Sequence, residues 1–193
     1  MKGIDVSVHN GTVDWQVVKE AGYEFAIIRL GYGNRHLDGS FTDNANGALA
    51  AGLRIGVYYY SYALDVEAAT AEAQFVHEVL QDQGINPELG IWFDMEDADG
   101  YKERQGMPDN QTITDMCSSF ICELNKAGYS HVGIYASYSW LTDIIDTKQL
   151  AEYVPYWNAQ WGDSNDFSSA KMWQFTDSLD INGQVFDGNE YFE

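Results

Sequence analysis

The residues best suited to chemistry lie in one acidic stretch, residues 90–100. Residues 91–96 alternate between apolar and mostly polar side chains with period two, which predicts a β-strand. Asp94 and Glu96 therefore point to the same side, with Cα atoms about 6.6 Å apart. Two carboxyl groups at this spacing can lie on either side of one bond. Reactive groups of α/β proteins sit at the carboxyl ends of strands, so the pair predicts a site.

Two further acids, Asp5 and Asp187, fall at the ends of other predicted strands. If parallel strands close into a barrel, these ends converge with Asp94 and Glu96 on one mouth. Like charges gathered there raise the pKa of at least one carboxyl group and keep it protonated near neutral pH. A protonated carboxyl group that donates to a glycosidic oxygen, beside one that stabilises an oxocarbenium-like charge, is the machinery of glycoside hydrolysis.

The acids also allow other interpretations. A structural acidic turn remains open, because structural networks also gather carboxylates. An EF-hand alignment on Gly100 puts Met95 first and Gly106 last, where acids are required, so a calcium loop is not predicted. No other metal-ligand spacing is present, and no cofactor is predicted. Ser137 and Ser139 lie in no nucleophile-elbow motif, which disfavours a serine hydrolase.

The elements that would position these acids follow from periodicity and from turn residues. The chain predicts an α/β fold of five βα units followed by about three strands. Strands are predicted at residues 2–7, 25–30, 54–62, 91–96, 131–135, 155–161, 171–175 and near 185–187. Helices are predicted at residues 14–21, 43–51, 66–83, 112–127 and, in one or two pieces, 139–153. Residues 31–42 and 97–110 are predicted loops.

Two polar features of the strands have alternative explanations. Tyr58 shares a strand face with Tyr60 and Tyr62, and it either flanks the acids or fills the barrel interior. Arg29 interrupts an otherwise apolar strand. We expect it to pair with an inward acid and hold the barrel together, in preference to a catalytic role.

The overall charge limits the partners. The 193-residue chain carries 30 acids and 10 bases, a formal charge of −20, which repels nucleic-acid phosphates and anionic lipid alike. We therefore expect no nucleic-acid or membrane partner, and a charge that keeps the chain monomeric. The length predicts a single domain, residues 1–193.

The cysteines and the N-terminus bear on the compartment. Cys117 and Cys122 lie on different sides of a predicted helix, so free thiols are expected. No charged leader with an apolar run is visible and no stretch reaches the ~20 apolar residues of a membrane span. Synthesis in a reducing cytoplasm is expected, followed by release through lysis, with a holin, or by secretion after removal of a leader.

The ordered motifs identify a family. The chain resembles the lysozymes of glycoside hydrolase family 25, the Chalaropsis-type muramidases found in phage endolysins and bacterial autolysins. The resemblance runs from residue 2 to about residue 192 and rests on segments 3–11, 14–15, 51–58, 92–96, 133–135, 157–160, 173–175 and 187–189.

The resemblance implies an irregular TIM-like barrel that cleaves the β-1,4 bond from N-acetylmuramic acid to N-acetylglucosamine in bacterial peptidoglycan. It implies that Glu96 is the general acid, that Asp94 is its partner, and that Asp5 and Asp187 are supporting acids. The implied substrate-binding residues are Tyr58, Tyr135, Trp157, Gln160 and Asn189.

The resemblance also implies retention of configuration, with the substrate's N-acetyl group as nucleophile and Asp94 orienting it. The carboxyl spacing alone leaves retaining and inverting mechanisms open. Asn158 stands where the family usually carries an apolar residue, and the loop at 97–110 is long. The alternatives are a sugar-binding module without catalysis and a chitinase-like glycosidase; a separate wall-binding domain is not expected in this chain.

Overall fold

Apolar, mostly parallel strands close into a barrel in the computed structural model of the protein, which describes residues 1–192. The strands are β1 (Lys2–Val6), β2 (Phe25–Tyr32), β3 (His36–Leu37), β4 (Arg54–Tyr60), β5 (Ile91–Asp94), β6 (Val132–Ser137), β7 (Tyr156–Ala159), β8 (Ala170–Ile181) and β9 (Gln184–Tyr191). Their order is β1-β9-β8-β7-β6-β5-β4-β2-β3, and pairing of β1 with β2 closes the ring. β9 runs antiparallel to β1 and β8, and the short β3 extends β2 outside the ring. The α/β barrel is therefore confirmed.

Helices connect the strands, and three of them begin at capping aspartates. They are α1 (Trp15–Glu20), α2 (Phe41–Ala50), α3 (Val66–Gln83), α4 (Tyr101–Gln105) and α5 (Asn110–Lys126). The carboxylates of Asp14, Asp65 and Asp109 accept hydrogen bonds from backbone N–H groups in the first turns of α1, α3 and α5. In the part of the chain that the structure describes, no helix combines the length and apolar character needed to cross a bilayer.

Two apolar layers lie on the two sides of the strands. On β5, Ile91 and Phe93 pack outward under the helices, whereas Trp92 belongs to a cluster inside the barrel with Trp157. A Cβ at position 133 would lie 2.7 Å from the Trp92 ring, so only glycine leaves room for this indole. The predicted alternation of β5 is confirmed, but both faces are buried and the acids begin only at the strand end.

The prediction of helix at residues 139–153 is wrong. Only a π-helical turn, Trp140–Ile144, forms there. The Asp146 carboxylate accepts from the backbone N–H of Lys148 and from Gln149, and the Asp146 N–H donates to the Thr114 hydroxyl. Such side-chain bonds to nearby backbone compete with helix formation.

Two other segments carry more structure than the sequence prediction gave them. Residues 97–110 contain α4, and the last strands form a long hairpin because Asn182 and Gly183, with φ of 55° and 86°, make the tight turn that joins β8 to β9. The dipeptide Asn-Gly was the available signal for this hairpin.

Two side-chain predictions have clear outcomes. Arg29 Nε donates to Asp38 Oδ2 over 2.7 Å, in a pair that is almost fully buried, although Asp38 lies on the connection from β3 to α2 and not on a barrel strand. Cys117 and Cys122 are both free, as expected.

Candidate active site

The acids predicted from separate parts of the chain meet in one cleft at the barrel mouth. Asp5, Asp94, Glu96 and Asp187 all line a depression of about 420 Å³, with Asp177 at its edge. Parallel strands bring their carboxyl ends to one side of a barrel, and β9 adds Asp187 directly opposite Asp5. The cleft therefore contains two carboxyl pairs, one at the end of β5 and one across β1 and β9.

The first pair consists of Asp94 and Glu96. Asp94 ends β5 between Tyr60 of β4 and Tyr135 of β6 and is 3% exposed, whereas Glu96 is only half-buried. Burial, and next the charge of Glu96, raise the pKa of Asp94. Burial raises the pKa of Glu96 to about 7, against the lowering effects of Lys102 and of a side-chain hydrogen bond from Asp94. The pair thus holds a proton near neutral pH, and Glu96 is the member that solvent can reach.

The second pair consists of Asp5 and Asp187. Asp5 is 5% exposed, and burial followed by the nearby Asp187 charge raises its pKa. Burial also raises the pKa of Asp187. Side chains directly opposite on antiparallel strands lie close together, so two ionised carboxylates here would repel each other. This pair also favours retaining one proton.

Two buried amides orient Asp5. Gln174 Nε2 and Asn189 Nδ2 both donate to Asp5 Oδ2, over 2.9 and 2.7 Å. Trp157 Nε1 donates to Asn189 Oδ1 over 2.8 Å, which leaves the amide nitrogen of Asn189 facing Asp5. The oxygen of Gln174 likewise accepts from Tyr135 and from Trp161, over 3.1 Å in each case. Both amides are therefore fixed in one orientation.

Aromatic side chains form the walls of the cleft. Tyr58, Tyr135 and Trp157 all line it, with the Tyr135 and Trp157 ring centres 4.5 Å apart. Trp157 is 1% exposed, so it supports the floor instead of offering an open ring face. Trp161, which the sequence prediction missed, is 60% exposed at the rim and offers such a face.

The cleft continues into a second hollow of about 480 Å³. His9, Arg29 and Tyr60 line both depressions, and Tyr32 and Tyr62 line the second alone. The combined surface forms an elongated, aromatic groove with the acids at one part of its length.

Two predicted substrate-binding residues lie away from the cleft surface. Asn189 is fully buried and donates to Asp5 from beneath, so in the structure it positions Asp5, and its contact with substrate stays a prediction. Gln160 turns outward, where its Nε2 donates to Asp166 and its Oε1 accepts from Asn158 Nδ2. The polar residue Asn158 is also fully buried.

Sequence reasoning missed two polar residues of the site. Gln174 stands between two aromatic residues on β8, and a polar side chain at that inward position was the signal. Lys102 lies on α4 in the predicted loop and is fully buried next to Glu96, and no periodicity marked it. Among residues 1–192 no group of three or more His, Cys, Asp or Glu side chains is arranged to hold a metal ion.

Comparisons with known proteins agree on one family. Residues 4–184 match the family described as Glycosyl hydrolases family 25. The chain is 30% identical over 185 residues to the autolytic lysozyme of Clostridium acetobutylicum, covering 95% of this chain and 52% of that protein. It thus spans about half the length of this relative.

Solved structures show the same fold. The modular autolysin LytC of Streptococcus pneumoniae, in complex with a synthetic peptidoglycan ligand, superposes with a TM-score of 0.89 at 25% identity, over 99% of this chain and 46% of that one. The bacterial lysozyme from Streptomyces coelicolor gives a TM-score of 0.81 at 26% identity, over 99% of this chain and 91% of that one.

Proposed function

Because the chain belongs to glycosyl hydrolase family 25, we propose that it is a muramidase that cleaves the β-1,4 bond from N-acetylmuramic acid to N-acetylglucosamine in bacterial peptidoglycan. The observation that carries the proposal is that the carboxyl groups of Asp94 and Glu96 lie together in an open groove with aromatic walls, where burial raises the pKa of both. Two carboxyl groups beside the scissile bond are what glycoside hydrolysis requires.

In the proposed reaction, Glu96 donates its proton to the glycosidic oxygen as the bond to the anomeric carbon breaks. The carbonyl oxygen of the substrate's own N-acetyl group attacks that carbon, and Asp94 orients the acetamido group. Water then opens the resulting ring while Glu96 takes the proton from it, so the configuration is retained and Glu96 is protonated again. The half-buried position of Glu96, compared with the nearly sealed Asp94, supports giving Glu96 the proton transfer.

We propose bacterial peptidoglycan as the partner and a monomer as the acting form. The formal charge of −20 disfavours nucleic acid and anionic lipid. The exposed Trp161 ring at the groove rim suits the apolar face of a sugar.

Mass spectrometry of digested peptidoglycan tests the proposal. A muramidase releases fragments with N-acetylmuramic acid at the reducing end and creates no new free amines. Fragments ending in N-acetylglucosamine, or new amines without reducing ends, would replace the proposal with another bond specificity. Binding to the wall without any release would leave a sugar-binding module, and activity confined to chitin oligomers would leave a chitinase-like enzyme.

A further inference from the structure

Lys102 is a charged side chain with no exposed surface, and it lies directly behind the proposed catalytic pair. It sits on the short helix α4, within the connection that follows Glu96. Its Nζ donates to the main-chain oxygen of Glu96 over 2.7 Å and to the main-chain oxygen of Ser61. The ammonium therefore joins the end of β5 to the segment after β4.

Glu72 in turn holds the main chain around Ser61 in place. Ser61 Oγ donates to Glu72 Oε2 over 2.7 Å, and the Tyr62 N–H donates to Glu72 Oε1 over 3.0 Å. Glu72 lies on α3 and is 4% exposed. Lys102 thus ties Glu96 to a rigid support that reaches the outer helix layer.

Burying an ammonium group is costly unless opposite charges and hydrogen bonds compensate it. Lys102 Nζ donates to uncharged main-chain carbonyls, so the compensation by charge comes from carboxyl groups farther away. A buried cation in this position is better explained by an effect on the carboxyl groups than by stability alone.

We propose that Lys102 is a positioning residue, whose buried ammonium group fixes the main chain at Glu96 and supplies the positive charge behind the Asp94–Glu96 pair. The proposal rests on the proposed function for the reaction that it serves. Its geometric part, the contact of Lys102 with the Glu96 main chain, is independent of that function.

Several ionisable groups lie close enough to Lys102 to interact with its charge. Those that interact with it are Tyr60 of β4, Glu72 of α3, Asp94 and Glu96 at the end of β5, Asp97 and Asp99 before α4, and Cys117 of α5. Lys102 lowers the pKa of Asp94 and of Glu96, against the raising effect of burial. Without this cation both pKa values would rise, and the pair would keep its protons to higher pH.

The test compares Lys102→Met, which removes charge and hydrogen bonds, with Lys102→Gln, which keeps an uncharged donor. The readout is the pH profile of kcat/KM for reducing ends released from soluble peptidoglycan fragments. In each variant, the acidic and the basic limb of the profile should both move to higher pH by about one unit, which is the usual effect of losing a nearby opposite charge. Lys102→Met should also lower kcat by about tenfold or more, because a loosened Glu96 is misplaced, whereas KM changes little.

Lys148→Met is the matched control, since it removes the same charge from an exposed position. It should leave both limbs and kcat unchanged. A folded Lys102→Met enzyme with the wild-type pH limbs would overturn the proposal, and so would an equal shift in Lys148→Met.

A measurement on the wild-type protein covers the case in which the variants do not fold. With lysine labelled at the ε-carbon, the Lys102 signal should show an inflection near the pKa of about 7 at Glu96, and the Lys148 signal should not. Burial also raises the pKa of Glu72 to about 7, so the inflection is assigned to Glu96 by its loss in Glu96→Gln. A Lys102 signal that stays flat through neutral pH would refute the proposal. Because this titration needs no substrate, it stands even if peptidoglycan digestion fails, which would overturn the proposed function alone.

Discussion

The two carboxyl pairs of the cleft are held in different ways. Asp94 and Glu96 have the buried cation Lys102 behind them, and within residues 1–192 Asp94 Oδ1 has no hydrogen-bond partner. Asp5 instead accepts from two neutral amides, both pinned by indole or phenol donors. Burial raises pKa values in both pairs, and each pair has one half-buried member, Glu96 in the first and Asp187 in the second. The pairs differ in what holds the buried member, a nearby cation for Asp94 and two amide donors for Asp5.

This difference suggests a division of roles. A pair backed by a cation can exchange a proton without leaving an uncompensated negative charge. A carboxyl group fixed by two donors is held in one orientation, which suits the shaping of the cleft and of its field. Substitutions in the two pairs test whether this contrast holds.

The largest effect is expected from the first pair. Glu96→Gln keeps the shape but cannot donate a proton, so kcat for release of reducing ends should fall by about 10³-fold or more. Asp5→Asn should cost clearly less, about 10- to 100-fold, because Asp5 orients and does not transfer the proton. Circular dichroism checks that both variants fold, and Glu152→Gln on the surface is the control. Equal losses of kcat in the two variants would contradict the proposed division of roles.

The second effect concerns the amide network of the other pair. Asn189→Leu removes the donor to Asp5 and the acceptor for Trp157 in a fully buried site. Unsatisfied buried groups of this kind cost about 2 kcal/mol, which for a chain of this size lowers Tm by about 4–8 °C. Calorimetry measures the shift. Gln16→Leu removes an exposed amide and should change Tm by less than about 2 °C; similar shifts in the two variants would argue against a special role for the network.

The third effect is a pH dependence of stability. The folded-state pKa of Glu96 is about 7, above the unfolded value of ~4.3, so between these values the folded protein binds more protons at this site. The free energy of unfolding therefore falls as pH rises through this window. Glu96→Gln removes the penalty and should raise Tm by about 3–6 °C at about pH 8, with no gain near pH 4. A gain of the same size at both pH values would contradict this linkage.

The smallest effect is expected at the rim. Trp161→Ala removes an exposed ring and a donor to Gln174, and should raise KM by about threefold to tenfold with kcat nearly unchanged. Trp161→Phe keeps a ring and loses only the donor, so its KM should stay nearer the wild-type value. If Phe is as damaging as Ala, the hydrogen bond to Gln174 matters more than the ring.

Local patterns were enough for much of the fold. The alternation of β5, the run of apolar residues in β2 and the helix α3, whose bounds Val66–Gln83 match the prediction, follow from periodicity and caps close in the chain. The predicted helix at 139–153 failed because Asp146 and its neighbours bond to local backbone instead, a competition that periodicity does not register.

The sequence by itself determined which acids stand at strand ends, because that depends only on the order of residues along each strand. Only the tertiary structure decided how those acids are held. The amides of Gln174 and Asn189 reach the Asp5 carboxylate from positions 169 and 184 residues away in the chain, and the buried Lys102 holds the main chain of Glu96. Burial and partner choice are long-range properties, so the protonation of each carboxyl group depends on the closed barrel and not on the local sequence.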